Sequence, residues 1–288
     1  MRIQYSITEL CEALEVSASG YYASQERPLG PRARANDILL KEMKIIHVHR
    51  HMHSYGSPRM TAELRGRDHA CSRNRVARLM RKAGLRARPR RPFRPKTTDP
   101  DHAAHPSPNL LKAATPPTAP GQQVVTDITY IPTREGWLYL SVIIDLFSRC
   151  VLGWKTSLSL HARLVVDTID KVRASHPIPS KALFHSDRGC QYTSATVRQC
   201  LLNGDWQQSM SARGYCYDNA FAESFFASLK AECLPPNGIF DSFEQANLAL
   251  FDYLETFYNR SRRHSSLGHI SPKAFLNLFF QNQKTNLN

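Results

Sequence analysis

The apolar positions in the second half of the chain recur with the period of two that is typical of half-buried β-strands. Three such runs, rich in β-branched and aromatic residues and separated by short polar turns, cover residues 124–131, 137–145 and 151–157. Because short turns join strands that lie next to each other, these runs predict three adjacent antiparallel strands.

Helical and strand patterns then alternate. Helical periodicity covers residues 164–174, 194–202, 219–233 and 243–258, and strand-like apolar runs lie at 182–186 and 206–209. Three meandering strands followed by alternating helices and strands are typical of an α/β fold of the ribonuclease H-like order. We therefore expect a five-stranded mixed sheet with helices.

The first hundred residues have helical periodicity instead. Helices are expected over 38–53, from Pro58 through Leu64, and over 73–82 with Ser72 as the N-cap. On the third helix the polar side chains are expected to stay outside; they are Arg73, Asn74, Arg75, Arg78 and Arg81. Three short helices with a basic third one predict an all-α helix-turn-helix region whose last helix enters the major groove of DNA.

These patterns divide the chain into five regions. A partial helix-turn-helix or entry region, 1–36, precedes a basic helix-turn-helix DNA-binding domain, 37–96. Residues 97–121 contain six prolines and are expected to be a linker. Residues 122–236, which contain the predicted sheet, are expected to form an α/β core, and a helical extension is expected at 237–288.

Charge strengthens the expectation of a nucleic-acid partner. The 288 residues have a formal net charge of +14, and residues 1–100 contain 21 Lys and Arg against 9 Asp and Glu. Residues 73–96 contain 11 basic side chains and no acidic one. Such a density repels itself unless phosphates neutralise it, so double-stranded DNA is expected as the partner, with Arg88, Arg90 and Arg91 on the phosphates. A solvated basic face or a disordered tail is the simpler alternative.

Composition excludes several other classes. With 42% hydrophobic and 22% charged residues the chain is typical of globular proteins, not of disordered or collagen-like ones. No apolar run approaches the roughly 18 residues that span a bilayer, and no signal-peptide pattern is present, so a cytoplasmic protein without membrane contact is expected. The histidines at 47, 49, 51 and 53 lack acidic or cysteine neighbours, so we expect conditional positive charge there and no metal site.

Three acidic residues fall where the predicted fold would bring them together. Asp127 lies inside the first strand, Asp187 directly follows the fourth, and Glu223 lies on the helix after the fifth. Converging carboxylates repel one another, and hard divalent cations bound by oxygen ligands relieve that repulsion. We therefore expect two Mg²⁺ or Mn²⁺ ions in a phosphoryl-transfer site, with separate structural roles for the acids as the alternative.

Helical geometry selects among the residues near Glu223. Lys230, seven residues further on, shares its face and can reach a phosphate, whereas Glu232, nine residues further on, lies on the opposite face. Asn219, one turn earlier, could point into the site or cap the helix. His185 is a further candidate for supporting the site.

Asp145 competes with Asp127 because it lies at the end of the second strand. The turn that follows it, Asp145-Leu146-Phe147-Ser148-Arg149, favours a structural hydrogen-bonding role.

These residues carry a resemblance to a known family. The chain resembles DDE transposases of the retroviral-integrase superfamily, and more closely the second-frame (OrfB) transposases of bacterial insertion sequences. The similar segments are 127–131, 136–140, 144–149, 185–189 with 191–194, and 218–226 with Leu229 and Lys230; outside the core they are 55–59, 75–81 and the tail from Tyr258 to His264, with Leu267, Gly268, Ser271, Pro272 and Phe275. The resemblance covers nearly the whole chain.

The resemblance implies a mechanism and partners. Asp127, Asp187 and Glu223 would hold the metals, a water would cleave a strand at the element's end, and the freed 3′-hydroxyl would attack target DNA. It also implies a homo-oligomer in a transpososome and a fusion, made by frameshifting, with the product of an upstream frame. A nuclease that cuts without joining and a DNA-binding regulator with an inactive core are the competing functions.

Overall fold

A computed structural model describes residues 5–26, 28, 30–87, 106–211 and 220–285. Its sheet has the strand order β3-β2-β1-β4-β5. The strands are β1 Gln123–Thr133, β2 Gly136–Asp145, β3 Val151–Ser157, β4 Leu183–Ser186 and β5 Gln207–Met210. The first three pair antiparallel and the last two pair parallel, with β4 against β1. The predicted ribonuclease H-like mixed sheet is confirmed.

Alternation along β1 gives the sheet two apolar faces. Val124 packs in a layer with the helices α6 (Ala162–Ser175) and α8 (Ala195–Asn203), and the short α7 (Cys190–Thr193) joins that layer. Val125 faces the other layer, which contains α9 (Ala220–Cys233) and α10 (Phe243–Phe251). Neighbouring residues of one strand thus serve opposite layers, as the period of two requires.

Five α-helices precede the sheet among the described residues. They are α1 Ile7–Ala13, α2 Ala18–Glu26, α3 Pro31–Val48, α4 Ser57–Gly66 and α5 Arg73–Lys82. Ser72 caps α5 as predicted, because its Oγ accepts a hydrogen bond from the Arg75 amide. The first expected helix instead starts at Pro31 and ends at Val48, where His49 leaves the helical conformation, and a 3₁₀ turn follows at Met52–Ser54.

The N-terminal helices share an apolar core with the face of the sheet that α9 covers. Buried residues of α3 and α4, among them Met43, Ile46 and Leu64, belong to the same cluster as Phe225 and Leu229 of α9. The helix-turn-helix region is therefore packed directly against the part of the chain expected to be catalytic.

The helix expected over 243–258 is present, with a change of helical type along it, and another helix follows. α10 continues as π-helical turns over Asp252–Tyr258, and a last helix, α11, covers Pro272–Thr285. Residues 106–121 of the expected linker lie on the sheet, since the amides of Leu110 and Leu111 donate to Ser209 Oγ of β5 at 2.9 and 3.2 Å. Among the described residues, none of the helices has the length and apolar character needed to span a membrane.

Candidate active site

The register of the two central strands brings Asp127 and Asp187 side by side. Val125 of β1 pairs with His185 of β4 in the parallel ladder, and each aspartate lies two residues further along the chain. Side chains two residues apart point to the same face, and neighbouring strands lie about 4.8 Å apart. The two carboxylates therefore project from one face at adjacent positions.

This arrangement raises the pKa of both carboxyl groups. Burial and the charge of Asp187 hold the pKa of Asp127 well above its usual range, and Glu223 adds to the repulsion. The Ile128 amide, which donates to Asp127 Oδ1 at 2.7 Å, opposes the shift. Burial also raises the pKa of Asp187, whose Oδ1 accepts from the Gly189 amide at 3.0 Å. In the described part of the chain, the donors to these two carboxyl groups are these backbone amides.

Helix α9 supplies a further acid and a cation. Glu223 is exposed in its first turn, and Lys230 lies half-buried two turns later. Both charges act on Asp127, so the predicted shared face of Glu223 and Lys230 is confirmed. Burial lowers the pKa of the Lys230 ammonium to about 8, and the charge of Asp127 opposes that shift.

The donor chemistry fits a hard divalent cation. Adjacent carboxylates with raised pKa gain most from a cation with oxygen preference. Within the parts of the chain that the structure describes, however, no three His, Cys, Asp or Glu side chains are grouped closely enough to form a complete metal site. Glu223 lies four residues beyond the segment 212–219, which is outside the described residues and includes Asn219.

Tyr192 is a site neighbour that residue-level reasoning missed. Its buried hydroxyl lies 3.2 Å from Thr126 Oγ, on the residue before Asp127. Burial, Asp127 and Asp187 together raise the pKa of this phenol well above its usual value. Its position in the similar segment 191–194 was the only signal in the sequence that singled it out.

His185 is buried between strands. Its Nδ1 lies 2.9 Å from Ser209 Oγ, and its Nε2 lies 3.1 Å from Ser211 Oγ. Both contacts join β4 to β5 and the residue that follows it. His185 therefore lies two residues before Asp187 and holds the strand end that carries it, while its role in the site stays a prediction.

Asp145 has the structural role that its turn predicted. The carboxylate is fully buried and accepts from the Gly121 amide at 2.9 Å and from the amide and hydroxyl of Ser148 at 2.8 and 2.5 Å. The Ser148 bonds close the β2–β3 turn and the Gly121 bond joins the residues before β1 to the end of β2, so the interpretation of Asp145 as a structural residue is confirmed.

Glu232 lies on the opposite side of α9 from Glu223, as the helical spacing predicted. Arg262 donates to it through Nε at 2.6 Å and through Nη2 at 2.8 Å, and both side chains are 2% exposed. A carboxylate occupied in this way is not open to an external ligand.

The expected DNA-binding residues fall into three groups. Arg73, Asn74 and Arg78 are exposed on α5, as predicted. Arg75 is half-buried, and its Nε donates to Asn36 Oδ1 of α3 at 2.8 Å, so the expectation that it stays outside was wrong. Arg75 is the third residue after the Ser72 N-cap, on the side of α5 that faces α3. The remaining three, Arg88, Arg90 and Arg91, lie outside the described residues.

Two residues of the histidine run are fixed in contacts with the core. His51 is 2% exposed, with Nδ1 3.1 Å from Glu232 O, and His53 Nε2 lies 3.1 Å from Ala231 O. Burial and the neighbouring His51 lower the pKa of His49, which is the opposite of the expected conditional charge. Packing, and not a charge patch, explains this part of the run.

Comparison with known proteins agrees with this architecture. The family model described as Integrase core domain matches residues 117–216, a second model of that description matches 205–272, and the HTH-like domain model matches 34–93. The chain is 39% identical over 280 residues to "Transposase InsF for insertion sequence IS3A" of Escherichia coli (strain K12), covering 95% of each chain.

A second relative extends this similarity. The "Insertion element IS600 uncharacterized 31 kDa protein" of Shigella sonnei is 37% identical over 272 residues, which are 94% of this chain and 99% of the relative. The crystal structure of the catalytic core domain of BIV integrase matches with a TM-score of 0.38 and 14% identity, over 58% of this chain and 99% of that one. The chain belongs to the integrase-core transposases of IS3-family insertion sequences.

Proposed function

We propose that this transposase cuts a DNA strand at each end of its insertion sequence and joins the freed 3′-hydroxyl to target DNA, with Asp127, Asp187 and Glu223 as the catalytic acids. The observation that carries the proposal is the adjacent register of the two aspartates, whose repulsion and burial raise the pKa of the Asp127 carboxyl. Cutting and joining are the same in-line displacement at phosphorus, so one site can serve both steps.

Transposases and integrases of this family use divalent metal ions. For this chain we propose two ions, Mg²⁺ or Mn²⁺, held by the carboxylate oxygens of Asp127, Asp187 and Glu223. When bound, they supply charge stabilisation for the attacking and the leaving oxygen. The carboxylates themselves hold the charge that these ions neutralise.

Lys230 has a different role in the proposal. An ammonium group has three donors and no acceptor, so it binds a phosphate oxygen but does not ligate a metal. Its place on the Glu223 face of α9 suits a contact to the phosphate beside the cut. Asn219, four residues before Glu223, and His185, two residues before Asp187, are proposed to support the site.

The HTH-like domain binds DNA. We propose that Arg73, Asn74 and Arg78 contact the element's ends from α5, with a smaller direct share for Arg75, and that Arg88, Arg90 and Arg91 bind phosphates along the duplex. The regions 37–96 and 122–236 would then be the binding and catalytic parts, with 1–36, 97–121 and 237–288 as their entry, connecting and extending regions.

The reaction also implies an assembly and a location. Two ends must be cut and joined together, so we propose that several copies act in one complex, with the product of an upstream frame as a fusion partner. The chromosome of a bacterial cell lies in the cytoplasm, and the transposase is proposed to act there on both element ends and target.

The test uses labelled duplexes carrying the element's ends, Mg²⁺, and the chain alone or fused to the upstream product. Nicked ends and joined products are expected, and Asp127→Asn, Asp187→Asn and Glu223→Gln should abolish both. Asp167→Asn is a matched control, because Asp167 is an acid paired with Arg163 on the surface of α6. Nicking without joining would leave the nuclease function, and binding without either product would leave the regulator.

A further inference from the structure

The side of α9 that faces away from the candidate active site carries one buried carboxylate with partners from two directions. From the N-terminal helices, Ser54 Oγ donates to Glu232 Oε1 at 3.0 Å and Arg59 Nη1 lies 3.5 Å from the same atom. From the C-terminal part, the Tyr253 hydroxyl donates at 2.8 Å and Arg262 donates at 2.6 and 2.8 Å. Glu232 therefore joins three segments that are distant in sequence.

Backbone groups of the same turn of α9 are used as well. The last carbonyls of a helix have no partner within it, and those of Ala231 and Glu232 face His53 and His51 at 3.1 Å each. His51 Nε2 also lies 2.9 Å from Asp252 Oδ2, beyond α10. The segment between α3 and α4 is thus fixed on the C-terminal end of α9 at several points.

The physical chemistry of this cluster favours orientation over stability as its purpose. A buried ion pair is often no more stabilising than apolar side chains of the same volume, because both charges lose their hydration. Apolar contacts have no directional requirement, so two packed helices can shift slightly along each other. A carboxylate with several fixed donors requires each donor in one position. The Glu232 cluster therefore holds α9 and the N-terminal helices in one relative position.

That relative position matters for DNA because the spacing of phosphates is small. The nine residues from Glu223 to Glu232 span about 13 Å of a rigid helix. Successive phosphates along one strand lie about 3.4 Å apart along the duplex axis. A movement of that size between the N-terminal helices and α9 would bring a different phosphodiester to the acids.

We propose that Glu232 is a positioning residue that sets which phosphodiester of a bound element end is cut, by fixing the N-terminal helices on α9. The proposal rests on the proposed function. It concerns the distance between the DNA-binding helices and the cutting site, and it leaves the chemistry to the acids on the other side of α9.

The test removes the N-terminal partners and keeps the buried pair. In the double variant Ser54→Ala/Arg59→Met both contacts from the N-terminal helices to the Glu232 carboxylate are lost, while the His51 and His53 contacts to α9 remain and Arg262 still pairs with Glu232. Tyr253→Phe is the matched control, because it removes one donor to the same carboxylate from the C-terminal side. Cut positions are mapped to the nucleotide on an end-labelled duplex with Mg²⁺.

Wild type and Tyr253→Phe are expected to cut at one position, and the double variant is expected to place a several-fold larger share of cuts at neighbouring phosphodiesters. Should the double variant fail to fold, Ser54→Ala alone is expected to show a smaller spread of the same kind. A single unchanged cut position in a folded variant, with only the yield lowered, would overturn the proposal.

Amide hydrogen exchange of the free protein gives a readout that needs no cutting. Exchange in α4 and in the last turn of α9 should accelerate in the double variant and not in Tyr253→Phe, while α6 and α8 on the other face of the sheet stay unchanged. Unchanged exchange in α4 would overturn the positioning role. Absence of any cut by wild type would remove the proposed function, and the exchange result would still decide whether Glu232 couples the two parts.

Discussion

The carboxylates on the two sides of α9 lie in opposite electrostatic environments. Toward β1, burial and the neighbouring carboxylates raise the pKa of Asp127, and within the described residues its donor is the Ile128 amide. On the other side, burial alone would raise the pKa of Glu232, but Arg262 and the other donors hold it below the usual value. A charge whose partners all come from the chain is structural. Carboxylates that repel one another leave their stabilisation to a partner from outside.

The largest expected effect concerns the acids on the β1 side of α9. Asp127→Asn, Asp187→Asn or Glu223→Gln should each lower cutting and joining by on the order of 10⁴-fold or more, as for residues that act as one catalytic unit. Stability should hold or rise, because the repulsion is relieved. Gel assays and thermal unfolding of the same samples measure both, and joining retained by any one variant removes that residue from the site.

Substitution of Glu232, on the other side of α9, should lower the stability of the protein. Glu232→Gln leaves Arg262 and Arg59 without their buried counter-charge, so the free energy of unfolding should fall by about 3–5 kcal/mol. Denaturant unfolding measures this. The control is Asp167→Asn, which breaks a surface pair and should change stability by less than about 1 kcal/mol. Equal losses in both variants would contradict the comparison.

Asp145 is a second buried carboxylate whose partners come from the chain. Its donors are N–H and O–H groups, without an arginine. Asp145→Ala should lower the free energy of unfolding by about 1–3 kcal/mol, because the Gly121 and Ser148 amides lose their buried acceptor. Chemistry per folded molecule should change less than in the Asp127 variant. Abolished cutting in a normally folded Asp145 variant would place it in the site instead.

Acid pH should remove the stabilisation that the Glu232 carboxylate provides. Because the pKa of Glu232 is lowered on folding, its contribution is complete above the unfolded value of about 4.3 and is lost as the pH falls through the folded pKa. The stability difference between wild type and Glu232→Gln should therefore be largest above about pH 5 and shrink below about pH 4. Unfolding curves at several pH values measure it, and a constant difference would be contrary to the pairing.

The smallest effect extends the comparison to cations on α5. Arg73 is exposed, whereas Arg75 is partnered by Asn36. Arg73→Ala and Asn74→Ala should reduce the preference for element ends over random duplex more than Arg75→Ala does. Neutralising Arg88, Arg90 and Arg91 should weaken binding to both duplexes alike and flatten the salt dependence by up to about 0.9 per lost phosphate contact. Titrations at several salt concentrations separate these cases.

Local backbone geometry made several features of this protein predictable from its residues. The period of two located β1 to β3, the cap at Ser72 set the start of α5, and helical spacing separated Lys230 from Glu232. Chain order then predicted that Asp127 and Asp187 would lie side by side, because strands of this order have few ways to pack, and the approach of Glu223 to them stays a prediction.

Which charged side chains have partners far away in the sequence became visible in the folded protein. Arg75 contacts Asn36, Glu232 contacts Ser54 and Arg262, and Leu110 contacts Ser209 of β5, all across long stretches of sequence. No local period encodes such contacts, because they depend on how buried faces fit together after the helices and strands have formed. Burial and the charge of Asp187 raise the pKa of Asp127, whereas Arg262 lowers that of Glu232.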